Sequence, residues 1–307
     1  MKKIIKNNLL VLISFMLLFL FTIKLNLDYR KYENSNLESL KEIYTENCKN
    51  NIKVEYIEQC DKIELELKSG KDYFTMFSNA FAFSIPMFHI RLLLPIFVII
   101  PSLFYACRSF KNKQIYNHYP RSGYGNYLKK VFKEVYKAIW ILPLIVSIEL
   151  IVCIICTGGI GNEYSILFET TTWNSFTLNH PVLFIILYVL NFLIHSILYV
   201  NIGLCVARKH HNYFIAIALT LLSIIGIELF LEVGVSVLIF NIILNNHTNV
   251  GILFNIINMV AFNDQYGFGT CMIVPSILMI ISSIVVFKFY KNKEDLIIYC
   301  EKNDVKE

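Results

Sequence analysis

Apolar and polar positions in this chain separate into long blocks, with few short alternating stretches. Apolar runs cover Leu9 to Leu25, Phe88 to Cys107, Ala138 to Cys156, Pro181 to Ala207, Tyr213 to Ile243 and Cys271 to Phe287. A helix crosses a bilayer with roughly 17–25 apolar residues. The pattern therefore predicts an all-α polytopic membrane protein with six transmembrane helices. Two departures stand out. Tyr213 to Ile243 is longer than one crossing needs and is interrupted by Gly226 and Gly234. Beyond it, Gly251 to Phe262 is apolar but too short to span, which suggests a re-entrant or outer-leaflet helix packed within protein.

The polar blocks between the runs orient them. Lys and Arg populate the amino terminus, the Arg108–Lys137 loop, the Arg208-Lys209 turn and the tail from Lys288, whereas Thr157–His180 and Leu244–Thr270 carry none. Loops rich in Lys and Arg stay on the cytoplasmic side, so both termini are expected there. The chain divides into a tail with the first span (1–25), an extracellular excursion (26–87) and a five-helix membrane region (88–307). The excursion holds eight basic and eleven acidic residues, but long loops translocate with little regard to charge. Within it, Ser35 and Glu38 have capping-box spacing ahead of a short helix. Val54 and Tyr56, then Ile63, Leu65 and Leu67, alternate as strands do around a turn at Glu58 to Asp61. A small α+β cap is expected, with Cys48 and Cys60 placed for an extracellular disulfide.

The Arg108–Lys137 loop contains eight Lys or Arg residues and a single acid, Glu134. Its first part, with Pro120, Gly123 and Gly125, resists a continuous helix. From Asn126, residues Leu128, Val131, Phe132, Val135, Tyr136 and Ile139 recur at helical spacing, and Lys129, Lys130, Lys133 and Lys137 fill the other face. Such a helix, running into a span, can rest on anionic lipid or receive a partner protein.

Composition narrows the classes further. The chain has 307 residues, 56% of them apolar, and a mean hydropathy of +0.54. The sequence contains no H-E-x-x-H, G-x-S-x-G or G-x-x-x-x-G-K-[ST] string, so none of these hydrolase or P-loop ATPase chemistries is expected. Cys153 and Cys156 lie inside a span and read as small apolar residues. His210 and His211, beside Arg208 and Lys209, read as a solvated turn rather than metal ligands. Polar groups within spans are costly and face the bundle interior: Glu149 in the third, Asn191 and His195 one turn apart in the fourth, Glu228 and Glu232 on one face of the fifth. Arg91 lies near the outer end of the second, where it either snorkels to the headgroups or pairs with Glu228 or Glu232. These residues read either as a partly wet path or as helix–helix hydrogen bonding.

The order of basic amino terminus, span, outer excursion, span, long basic loop and four further spans resembles an ABC-2-type permease, the membrane subunit of a bacterial ABC exporter. The string YPRSGYGNYLKKVFKEVYKAIW is similar to the basic-aromatic loops of small bacterial members. The amino-terminal tail is shorter than the connecting helix of larger relatives. The resemblance implies transport across the bacterial cell membrane, powered by a separate ATPase subunit that holds ATP and magnesium, with no cofactor in this chain. It also implies a dimer and an ATPase contact through Arg121, Tyr124, Tyr127, Lys129 and Lys130. A peptide antibiotic, a lipid and a drug all remain open as substrate. The competing class is a non-transporting immunity or sensor protein whose outer cap binds a ligand.

Overall fold

The computed structural model describes residues 2–49, 60, 64, 94–111, 123–157, 181–245 and 268–291, and among them every regular element is helical. Helix α1 runs unbroken through Lys2–Ile43 and ends in a π-turn at Tyr44–Lys49. At 42 residues it is about 63 Å long, about twice the hydrocarbon thickness of a bilayer. No Pro or Gly occurs before residue 70, so nothing halts the helix once the apolar stretch Asn8–Lys24 has formed. The capping-box residues Ser35 and Glu38 therefore lie in a helix interior and open no separate helix. Beyond α1, the expected strands fall almost wholly outside the described residues. Cys60 and Glu64, however, are helical.

Helix α2 (Leu94–Lys111) precedes α3 (Tyr124–Val135), a 3-10 turn (Tyr136–Trp140) and α4 (Ile141–Thr157). Gly123 opens α3 with φ 75°, a left-handed value that glycine adopts without steric penalty. Pro143 cannot donate to the Ile139 carbonyl, which is consistent with the tighter 3-10 winding just before α4. Helix α5 (Pro181–Ala207) follows, and then α6 (Tyr213–Leu229), which Asn212 caps by accepting from the Phe214 and Ile215 amides at 3.1 and 3.5 Å. Gly226 and Gly234 do not interrupt this span. It continues past Leu229 as a π-helix over Phe230–Ile243, where the Ser236 hydroxyl donates to the Leu231 carbonyl five residues back. Helix α7 (Phe268–Lys291) closes the described chain.

Helix α5 is the hub, packing against α2, α4, α6, α7 and the 3-10 turn, while α1 lies along α2 and α4. The inner part of α5 is the more enclosed: Tyr188, Phe192, Leu198 and Leu204 are buried, whereas Val182, Leu183, Ile186 and Leu190 towards its start are exposed. Four helical stretches are long and apolar enough to cross a membrane: Tyr124–Val152, Ile185–Ala207, Tyr213–Ile243 and Met272–Lys291. Asn8–Lys24 and Leu94–Phe110 are shorter apolar helices. The outer faces of α6 and α7 remain apolar and uncovered, with Phe214, Leu222, Phe230, Ile273 and Phe287 exposed.

Candidate functional site

At the basic end of the bundle the amphipathic α3 folds back onto the helix ends. Tyr127, Val131 and Val135, one turn apart, are buried; Lys129, Lys130 and Lys133 on the opposite face are exposed. Two tyrosine hydroxyls fasten the helix: Tyr124 donates to the Tyr290 carbonyl at 2.7 Å and Tyr127 to the Ser109 carbonyl at 2.8 Å. Tyr124 and Tyr127 were expected to meet a partner, and the structure turns both towards the bundle. Lys129 and Lys130 keep the outward position expected of them. Arg121 lies outside the described residues.

The receiving surface is organised by Tyr290, whose side chain is 2% exposed. Its ring stacks on Phe110 at 5.7 Å and meets the Phe132 ring edge-on at 5.2 Å, and its hydroxyl donates to the Leu204 carbonyl at 2.9 Å. The Arg208 guanidinium sits 5.4 Å from the Phe289 ring and 5.9 Å from the Tyr290 ring, close enough for cation–π attraction. Arg208 and His211 are buried, so the turn read as solvated is largely covered; His210 is exposed. Nε2 of His211 donates to the Arg208 carbonyl at 3.1 Å, which holds the turn closed. Lys137 bridges the Glu134 carboxylate at 2.6 Å and the Asn8 amide oxygen at 2.9 Å, linking α1 to the end of α3.

One turn deeper, Asn201 joins three elements. Its side-chain oxygen accepts from the Tyr136 hydroxyl, and its amide nitrogen donates to Ser282 and Ser283 of α7 at 3.0 Å each. The fully buried Asn201 thus ties the 3-10 turn, α5 and α7 together. Sequence reading passed over it. Its signal was an amide in an apolar run opposite a Ser-Ser pair in the last span.

Deeper still, α5 carries the polar residues expected within the membrane. Asn191 and His195 are both fully buried. Nδ1 of His195 donates to the Asn191 carbonyl at 3.0 Å, and its ring lies 6.1 Å from that of Tyr199. The Glu228 carboxylate on α6 is within electrostatic reach of the Tyr199 hydroxyl. Glu149 on α4 is buried. The Tyr136–Asn201 bond sets the relative height of α4 and α5. From it, Asn191 lies ten residues, about 15 Å, along α5. Asn191 and His195 thus lie one turn apart in the core of α5, while Glu149 and Glu228 lie on α4 and α6, which each pack on α5. Glu232 is exposed on the π-helix that continues α6. Arg91 lies outside the described residues, so its expected pairing with Glu228 or Glu232 has no described geometry.

On the α1 side, the Tyr44 hydroxyl donates to the Glu64 carboxylate at 3.1 Å. Cys60 is disulfide-bonded, and the Cys48 side chain lies outside those described. No group of His, Cys, Asp and Glu that could hold a metal occurs among the described residues.

The class that this fold defines is an all-helical protein with apolar helices of membrane-spanning length. No protein-family model, curated protein or solved structure matches the chain.

Proposed function

We propose that this chain is the membrane-spanning permease subunit of an ABC-2-type exporter, moving its substrate with energy from a separate ATPase subunit. The observation that carries the proposal is the docking of α3. Its apolar face is occupied by the ends of the bundle and its lysine face is presented outward. An amphipathic helix with a free apolar face would lie in a bilayer surface. With that face occupied by α2 and α7, α3 is better suited to receive a protein. Force applied to it passes through Tyr124 and Tyr127 into the ends of α7 and α2. Such a device can convert ATPase closure into helix movement, provided that two arrangements of the bundle lie close in free energy.

In this reading the basic end faces the cytoplasm of a bacterial cell, and both termini are cytoplasmic. The apolar parts of α1 and α2 complete a set of six spans, with a second copy or homologue making the dimer. The excursion after α1 stands outside the cell. Isolating the tagged chain from its own membranes and identifying the proteins that accompany it tests the reading. An ATPase recovered in stoichiometric amount is the expected result. Recovery of the chain without one argues against the proposal.

The length of α1 favours a second reading, in which the chain is a sensor or immunity protein. A continuous helix of 42 residues carries the chain well past a bilayer, towards Glu64 and the disulfide-bonded Cys60. A ligand-binding cap on such a stalk would need no ATPase. Deleting residues 44–87 separates the readings. Loss of ligand response with the ATPase complex absent supports the sensor, whereas an intact ATPase complex supports the permease.

A further inference from the structure

Two charged side chains of the apolar helices face away from the bundle. Lys24 closes the apolar stretch Asn8–Lys24 of α1 and is exposed, and Glu232 is exposed on the π-helix that continues α6. Within the described apolar stretches and away from the basic end, they are the only exposed Lys, Arg, Asp or Glu, one of each sign. Neither forms an ion pair or a hydrogen bond among the described residues. A lysine stem can carry its ammonium along an apolar surface to the headgroups, but a glutamate side chain is shorter. Nor does the apolar surface stop at Glu232: Val233, Val237, Leu238 and Ile242 beyond it are also exposed. Charged groups within spans seldom face lipid and are usually paired or turned inward, so Glu232 lacks an explanation within one copy of the chain.

The apolar residues leading up to the two charges share a pattern. On α1, Ile13, Leu17, Leu20 and Lys24 are exposed and stand four, three and four residues apart. On α6 and its extension, Leu222, Ile225, Leu229 and Glu232 are exposed and stand three, four and three apart. Alternating steps of three and four are the spacing of a helix-pairing seam. Both helices leave the basic end in the same direction, α1 from Asn8, which Lys137 holds at 2.9 Å, and α6 from the turn after Arg208. Lys24 and Glu232 each lie about 25 Å along from that end. Helix α2 stands between the two seams, packed on both α1 and α6.

We propose that this face, α1–α2–α6, is where a second copy of the chain packs, with α1 of each copy along α6 of the other and Lys24 paired with Glu232 twice. A surface that carries opposite charges on either side of a central helix is self-complementary under a twofold axis, where residue i meets j and j meets i. An axis along the membrane normal keeps α1 and its α6 partner parallel, so the charges that close the two seams arrive at the same height. In the permease reading a second copy makes the dimer; this pairing rests on that part of the reading alone, names the face used, and needs no ATPase.

The dimer fraction of the full-length chain is read in lipid vesicles at falling protein density, by single-molecule photobleaching of a carboxy-terminal fluorophore. Lys24→Glu alone, or Glu232→Lys alone, sets like charges against each other at both contacts and should raise the density for half-dimerisation about tenfold or more. The combined variant, Lys24→Glu with Glu232→Lys, should return it to the unmodified value. A chain that is monomeric throughout, single variants that dimerise like the unmodified chain, or a combined variant no better than the singles would each overturn the pairing. The face is checked in membranes holding two differently tagged copies, one with Lys24→Cys and the other with Glu232→Cys, treated with a short bis-methanethiosulfonate. A covalent dimer carrying both tags should form above the background of the unmodified chain. Equal linking when Ile273→Cys, exposed on α7, replaces Glu232→Cys would overturn the assignment of the face. Loss of the dimer leaves the ATPase contact of α3 untouched, and loss of the ATPase leaves the dimer, so the two proposals fail separately.

Discussion

Asn201 illustrates how one side chain can hold three helical elements at a fixed height. Its amide bonds Tyr136, Ser282 and Ser283, and no apolar residue of similar size can replace those contacts. Hydrogen bonds between membrane helices often contribute only about 0.6 kcal/mol each. Removing this one also strands the Tyr136 hydroxyl in the interior, which adds a desolvation cost. Asn201→Leu should therefore destabilise the protein by about 2 kcal/mol or more, read as a lowered unfolding midpoint in detergent. Asn191→Leu should not do the same, because no protein bond is lost there. An equal drop for the two variants would mean that Asn191 is also structural.

Among the elements, α5 is the helix whose neighbours leave least room, and its glycine is the sharpest indicator. A Cβ at Gly203 would lie 3.3 Å from Cδ2 of Leu103 on α2, a buried side chain with little freedom to yield. Gly203→Ala should push α2 and α5 apart and cost about 1–3 kcal/mol. Gly226 is the opposite case. Nothing lies within 4 Å of a Cβ built there, and the position is inside a continuous helix. Gly226→Ala should raise stability by about 0.5–1 kcal/mol through reduced backbone freedom in the unfolded chain. Thermal unfolding of the two variants should shift in opposite directions. A loss at Gly226 would indicate that α6 must bend there.

At the scale of the whole molecule, the two faces of α3 should separate binding from transmission. Reversing Lys129, Lys130 and Lys133 to Glu alters only exposed side chains. It should leave the unfolding midpoint nearly unchanged while removing most of the co-isolated ATPase, since complementary charge governs encounter and register at such surfaces. Tyr124→Phe with Tyr127→Phe keeps the lysine face but breaks both ties to the bundle. That pair should retain ATPase binding and lose the stimulation of ATP turnover by substrate. If the tyrosine variant sheds the ATPase and the lysine variant keeps it, the assignment of the two faces is reversed.

Long-range pattern was legible without a structure, and short-range contact was not. Block hydropathy located the apolar helices because the energy of placing about 20 apolar residues in one environment is a sum over positions. Helical periodicity identified α3 for the same reason, since its spacing separates an apolar from a basic face. Polar residues in apolar runs flagged Asn191, His195 and Glu149 as interior. Sequence could not decide which interior amide bonds to protein, because that depends on whether a partner on another helix arrives at the same height. Asn201 meets Ser282 and Ser283, and Asn191 meets no such partner. Nor could it decide that Tyr124 and Tyr127 face inward, because an aromatic residue beside lysines suits a partner's surface and a helix end equally well. Continuity of α1 through Ser35, by contrast, was decided by the local sequence, with no Pro or Gly before residue 70. A capping box begins a helix only where the preceding turn is not already helical, and here an apolar helix arrives first. Composition and period determined the apolar helices; packing alone decided which polar groups are partnered by protein.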